Sequence, residues 1–408
     1  MRRASLWALA VLAAGWALSL WVAPWSDERV NDLFVYRSFA EPVLDGRLPY
    51  RDVAFEYPPL AAPAIALPGL AGTGDDPFRW AFALWTLVAA AAVVLLCGAL
   101  ARATGGDPRR AMLAAALMPL LLGAMVRTHF DLFPVALLLA GLLLLCRDRP
   151  RAGLAVLGVG AMTKAFPLIA VPVALVWLVA RGGRREAWQG ALACAAVIAV
   201  VAGAAVVVSP GGAADAVRYH LDRPVQVESS PALVLLGLDA AGAGEARSVE
   251  SYRSDGLLHP ASDAVTSIFA AALVALAALL CVAAGAGGRA GGRELVIASL
   301  AACVAFAAFG KVLSPQFLIW LVPLGALAFA WRLHALAAAV AIAAVLTQIE
   351  FPAHYFDVVA REPLAVALVA VRNLALLAVI VLSVRVLQLR RHEELLDGRR
   401  AALAVRLH

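Results

Sequence analysis

Long apolar runs separated by short polar connections dominate the chain, and they lack the sustained apolar–polar alternation that marks strands. Runs at 4–24, 78–101, 111–127, 130–146, 151–164, 166–180, 187–208, 263–286, 293–310, 316–331, 334–350 and 364–387 read as helices suited to a hydrocarbon core of about 30 Å. The pattern predicts an all-α polytopic membrane protein with about twelve spans. Arg2 and Arg3 precede the first run as they would in a signal peptide. That run is longer than an ordinary signal core and no small-x-small cleavage site follows it, so it reads as a first span with its N-terminus in the cytoplasm. Leu60 to Ala71 is apolar but short, and Pro58, Pro59, Pro63 and Pro68 interrupt it. It is expected as a re-entrant piece or a short hairpin partner of the 78–101 span.

Arginines mark alternate connections: Arg102, Arg109 and Arg110; Arg147, Arg149 and Arg151; Arg181, Arg184 and Arg185; Arg289 and Arg293; Arg332; and Arg390, Arg391, Arg399 and Arg400. With these inside, the positive-inside rule holds throughout, giving a transmembrane domain over 1–388 and a cytoplasmic basic tail over 389–408. The outer face then receives 25–58, the turn Arg127–Asp131, the long loop 209–262 and the connection 351–363. Composition agrees: 63% of the 408 residues are hydrophobic and 15% charged, and the mean hydropathy of +0.85 lies outside the range of a soluble domain. The net charge of +6 comes from arginines scattered through short loops, which points away from nucleic acid. Cys97, Cys146, Cys194, Cys281 and Cys303 all lie in apolar runs with neither disulfide nor metal-ligand spacing, and read as small core residues.

Polar residues that the spans do not explain gather at the outer level. Residues 26–46 are expected to form one interfacial helix with Ser26 or Asp27 as N-cap and Gly46 beyond its end. Arg29, Asp32 and Tyr36 would then share a face, aiming Asp32 at a specific place; a solvated interfacial helix would look the same. The following stretch, 46–60, is extended and aromatic, and its Asp52 and Glu56 can orient a sugar hydroxyl or simply help the loop fold back. Only two lysines occur, Lys164 and Lys311, each at the outer end of a span. Both suit phosphate, with snorkelling to headgroups as the alternative. Arg127, His129 and Asp131 form a polar turn: Arg127 is a further phosphate candidate and Asp131 a sugar-hydroxyl partner, or the two form a structural ion pair. Gln316 and Ser314 add uncharged hydrogen-bonding groups. His354, Tyr355 and Asp357 can make an acid–base group or a solvated loop, and the long loop carries RYHLDRP (218–224), a plausible acceptor platform. Leu233–Leu238 in the same loop can dip into the membrane. Neither a metal cluster nor a P-loop is visible, and no cytoplasmic segment exceeds about 25 residues, too few for a nucleotide-sugar domain. The donor is expected to arrive through the membrane.

Several elements in order resemble the GT-C superfamily: Asp32 with Tyr36, Gly46, Pro49–Tyr50, Tyr57–Pro58–Pro59–Leu60, Arg127 with Asp131, Lys164 with Pro167, and Ser314–Pro315–Gln316–Phe317 with Trp320. The pattern is most similar to actinobacterial polyprenol-phosphate-mannose-dependent α-mannosyltransferases. The resemblance implies a GT-C-like bundle and a multi-pass enzyme of the plasma membrane with its site on the extracytoplasmic face. It further implies inverting transfer of a sugar, mannose first among the candidates, from a polyprenyl-phosphate carrier to a lipid or glycan acceptor. Asp32 takes the role of general base on the acceptor hydroxyl, Lys164, Lys311 and Arg127 hold the donor phosphate, and Tyr36, Asp52, Glu56, Tyr57, Asp131, Gln316 and His354 line the substrate site. No cofactor or obligatory metal is expected, because a phosphate monoester leaving group can be held by Lys and Arg. Two elements depart from the family: the late outer loop reads Ser-Pro-Gln-Phe where many actinobacterial members carry a Trp-His-His element, and no Asp-x-Asp pair follows Asp32. The competing reading is a polytopic transporter or lipid flippase, which would show internal repeats and polar groups near the bilayer midplane; the two halves show no such repeat.

Overall fold

Apolar helices joined by tight turns build the molecule. The computed structural model describes residues 2–285 and 291–406; Arg289 lies outside the described residues, as do the side chains of Arg390, Arg391, Arg399 and Arg400. In chain order the helices begin with α1 (Arg2–Trp21), α2 (Leu33–Leu44), α3 (Ala61–Ala66), α4 (Asp75–Ala103), α5 (Pro108–Ala116), α6 (Met118–Leu122) and α7 (Met125–Thr128). They continue with α8 (Leu132–Cys146), α9 (Pro150–Thr163), α10 (Ala170–Ala180), α11 (Arg184–Val208), α12 (Pro210–Asp222) and α13 (Ser230–Ala240). The last are α14 (Ser262–Gly285), α15 (Gly292–Phe309), α16 (Leu318–Ala330), α17 (His334–Glu350), α18 (Tyr355–Val359) and α19 (Pro363–Arg406).

Six of the described helices are long and apolar enough to cross a membrane by length and composition: α1, α4, α11, α14, α15 and Pro363–Leu389 of α19. The other expected spans fall on shorter apolar helices, among them α8, α9, α10, α16 and α17. At about 1.5 Å per residue, a helix the length of α8 falls short of the hydrocarbon core. Polar side chains at such ends therefore sit within the bundle instead of beyond it.

The centre is α15, whose residues from Leu295 to Val304 are all buried, with α16 and the indoles of Trp177 and Trp320 beside it. By contrast, α11 and α14 bury few of their apolar side chains, as expected of helices that face lipid. Backbones come close where side chains are small. A Cβ on Gly153 of α9 would lie 2.9 Å from the Gly141 carbonyl of α8, so only glycine permits that approach.

Local chemistry changes three expectations. The helix expected over 26–46 begins only at Leu33; Asp32 caps it by position, residues 27–32 are irregular chain, and Arg29 pairs with Asp27 at 3.0 Å, so Arg29 does not share a helical face with Asp32 and Tyr36. Asn31 accepts from the Leu33 amide at 2.8 Å, a short-range side-chain bond that competes with an earlier helix start. The expected span at 111–127 is broken into α5, α6 and α7. Pro119 lacks an amide proton, and Gly123 (φ +54) supplies the left-handed turn that ends α6. Within the long 209–262 loop, the all-α expectation gives way to a small antiparallel sheet of β1 (Val225–Gln226), β2 (Arg247–Ser251) and β3 (Ser254–Leu258), ordered β1-β3-β2. The Leu233–Leu238 segment lies in α13, which packs against α14 and α19. The 60–71 segment is α3 with a 3₁₀ turn (Leu67–Ala71), packed on α2 and α4 as a short hairpin partner.

Candidate active site

A cavity of about 740 Å³ opens between the 30–59 segment, the 129–131 turn, the ends of α9 and α15, α12 and the β2–β3 hairpin. One arm is apolar, formed by Ala202, Ala205 and Val206 of α11 with Ala213, Ala216 and Val217 of α12. The other is polar and holds Asp32, Glu56, His129, Lys164, Arg223 and Lys311.

Asp32 reaches this cavity from the N-terminus of α2. The Tyr36 hydroxyl, one turn on, donates to its Oδ2 at 3.1 Å, and His129 Nε2 stands 3.6 Å from the same oxygen. Burial, with Asp32 beside it, raises the Tyr36 phenol well above its ordinary range and keeps it a donor. Tyr36 is locked by rings: it stacks on Phe82 at 5.3 Å and meets Phe130 edge-on at 5.5 Å.

Asp131 and Lys164 form the buried polar centre. Lys164 Nζ donates to both Asp131 oxygens at 2.7 and 2.8 Å and to Gln316 Oε1 at 3.0 Å, so all three ammonium protons are engaged. Trp320 Nε1 adds a bond to Asp131 at 2.6 Å, and the Trp320 ring is stacked between Phe166 and Phe317. Of the alternatives for Asp131, the geometry realises a structural ion pair, with Lys164 in place of Arg127 as partner.

Arg127 is turned away from the cavity. Its buried guanidinium donates to the Ser19 carbonyl at 2.9 Å and pairs with Glu28, which Arg79 also engages at 2.6 Å. The broken helix carries Arg127 back against α1, where a phosphate would have to displace these partners.

Lys311 lines the cavity and, with Arg223, also lines an adjoining outward pocket of about 380 Å³. Its ammonium donates to the Leu221 carbonyl, and burial lowers its pKa. Arg223 donates to Ser254 at 2.8 Å while its buried Nε has no hydrogen-bond partner, so this guanidinium retains donors for a ligand.

Glu56 and Tyr57 line the cavity. Glu56 pairs with Arg253 at 3.2 Å, and burial raises its carboxyl pKa. Asp52 lies apart, pairing with Arg51 at 2.9 Å and accepting from the Leu48 amide, which is the fold-back role. His354 is exposed, pairs with Asp357 at 2.7 Å and does not line the cavity, although its neighbour Tyr355 does.

Several lining residues were not individually legible. Tyr219, His220 and Arg223 come from the RYHLDRP segment, whereas Tyr252 and Arg253 form the tip of the β2–β3 hairpin with φ of +52 and +55. Both central residues of such a turn favour Gly or Asn, so this tip is a strained one. It is held by the Tyr219 hydroxyl donating to the Tyr252 carbonyl at 2.6 Å and by Arg253 over the Phe39 ring at 5.0 Å. His129 was visible only as part of the turn. Among the described residues no group of three or more His, Cys, Asp or Glu gathers as metal ligands.

This cavity, which joins a carboxylate and cations in its polar part to apolar side chains of α11 and α12, suits an amphiphilic substrate carrying an anion. Residues 56–181 match the alpha-(1->6)-mannopyranosyltransferase N-terminal domain family. The match runs from Glu56 through α10 and takes in Tyr57, His129, Asp131 and Lys164. It agrees with the resemblance to polyprenol-phosphate-mannose-dependent mannosyltransferases, and supports a membrane glycosyltransferase and a mannosyltransferase in particular. No curated protein matches the chain.

Proposed function

We propose that the protein transfers a mannosyl group from a polyprenyl-phosphate carrier to a hydroxyl of a lipid or glycan acceptor, at the extracytoplasmic face of the plasma membrane. The observation that carries this reading is the joining of Asp32, Arg223 and Lys311 to an apolar arm within one cavity. A lipid-phosphate sugar needs those features together: room for isoprene units, cations for the phosphate and a base for the incoming hydroxyl.

In the proposed step the acceptor oxygen attacks the anomeric carbon as its proton passes to Asp32. The bond from that carbon to the phosphate oxygen breaks, its electron pair leaves with the phosphate, and the configuration inverts. A positioned carboxylate contributes about 10²–10⁴-fold to such a transfer. Of the phosphate candidates, Lys311 keeps that role here with Arg223 as its partner, because Lys164 is fully engaged by Asp131 and Gln316 and Arg127 by Glu28. Glu56, Tyr57 and the hairpin tip would face the acceptor sugar.

The test is transfer of radiolabelled mannose from synthetic polyprenyl-phosphate mannose to membrane lipid or glycan extract. The parent should turn over and an equally folded Asp32→Asn variant should not; equal turnover by both would remove Asp32 as base.

A further inference from the structure

We infer that Gln226 is a positioning residue for Lys311: it clamps the chain on both sides of Val312 and is itself held, through Glu228, by Arg372 of α19. The inference rests on the reading of Lys311 as a ligand of the donor phosphate.

Lys311 stands on irregular chain. Residues 310–314 join the end of α15 to the 3₁₀ turn Pro315–Phe317, so no helix or strand fixes the direction of its side chain. Gln226, in β1, supplies the restraint. Its backbone N–H donates to the Lys311 carbonyl at 2.9 Å, and its side-chain Oε1 accepts from the Leu313 amide at 3.3 Å. The other edge of β1 pairs with β3, with Val225 opposite Leu257, so the clamp is built on the sheet.

The clamp needs a donor and an acceptor on one side chain. The Leu313 N–H can only donate, which turns Oε1 toward it and leaves Nε2 for Glu228, whose Oε2 it meets at 2.5 Å. A carboxylate at 226 would oppose that of Glu228, and an alkyl side chain would leave the Leu313 amide unpaired. Leu313 is fully buried, so bulk water does not replace the lost bond.

Glu228 is anchored in turn from α19. Arg372 Nη2 donates to the Glu228 carbonyl at 2.7 Å and Nη1 to its Oε1 at 3.4 Å, while Asn373 Nδ2 adds a bond to the same carbonyl at 3.2 Å. Glu350 stands 3.7 Å from Arg372 Nη1 as a second carboxylate partner. An arginine within an apolar span is costly and persists where buried partners meet it. Here those partners carry the clamp, and both Gln226 and Glu228 line the cavity that Lys311 enters.

The test uses the full chain in nanodiscs, with polyprenyl phosphate, the carrier without its sugar, as the probe. Carrier affinity and hydrogen exchange of the peptide spanning 310–314 are read in the parent, Gln226→Met, Lys311→Met and the double variant. Gln226→Met should weaken carrier binding about tenfold, the scale of a lost hydrogen bond to a charged group, and should speed exchange of the Leu313 amide. The same substitution in the Lys311→Met background should cost little more, because Gln226 acts through Lys311. Gln226→Asn leaves the amide one methylene short of its partners and replaces Gln226→Met should that variant not fold. With Lys311→Met impaired, a Gln226→Met protein of parental affinity would overturn the inference, and so would additive losses, which mark direct contact of Gln226 with the ligand. Parental exchange over 310–314 in Gln226→Met would overturn it in every case. Faster exchange there, together with parental affinity in Lys311→Met, would sustain the clamp and overturn the phosphate role of Lys311 instead.

Discussion

Lys164 and Asp131 lie 33 positions apart in sequence and form an ion pair with two bonds of 2.7 and 2.8 Å, the carboxylate fully buried. The pair fixes the end of α9 against the turn before α8, and Gln316, on the third ammonium proton, ties in the segment before α16. A lysine that stands in sequence as a phosphate ligand is here a joint between three pieces of backbone.

Replacing Lys164 by Ala is expected to leave Asp131 as an unpaired buried charge and to cost about 3–5 kcal/mol of stability. The double replacement Lys164→Met with Asp131→Leu should recover most of that loss. Thermal unfolding of the detergent-solubilised variants decides the matter: a Lys164→Ala protein as stable as the parent would show that the pair does not hold the fold.

Arg127→Met should destabilise by about 1–3 kcal/mol by orphaning the Ser19 carbonyl. Donor KM in the folded fraction should not change. A raised donor KM at parental stability would return Arg127 to the phosphate site.

Burial lowers the pKa of His220, whose Nε2–H donates to the Glu56 carbonyl at 2.9 Å. The folded state thus takes up a proton less readily than the unfolded chain. Stability is full above the ordinary histidine range of about 6.5 and falls as pH drops through that value toward the lower folded one. His220→Gln keeps the donor and should flatten this acid-side fall, as read from unfolding midpoints across pH.

At the hairpin tip, Tyr252→Asn should raise stability by about 0.5–1 kcal/mol and Tyr252→Val should lower it, because a left-handed backbone accepts Asn and resists a β-branched residue. If the tip faces the acceptor, Tyr252→Asn should raise acceptor KM while stability rises, and the opposed readouts separate contact from strain.

Legibility followed the range of the interactions. Helical character, the Pro-broken segment at 60–71 and the proximity of Asp32 to Tyr36 were readable because each depends on residues a few positions apart. The start of α2 at Leu33 was missed because a run of polar residues satisfies helix spacing as well as it satisfies turns; the Asn31 side chain bonding the Leu33 amide decided it. The β1–β3–β2 sheet was not legible either, since β1 has two residues and no alternation to display.

The sequence alone determined that this is a helical membrane protein with an acidic residue and two lysines at polar breaks, since hydrocarbon selects apolar runs residue by residue. Tertiary structure decided what each charge does. Arg127 meets Glu28 across 99 positions and Lys164 meets Gln316 across 152, and the long loop brings Arg223 and Arg253 to the cavity lined by the 30–59 segment. A buried charge takes whichever partner the packing of distant helices presents, and no local pattern encodes that choice.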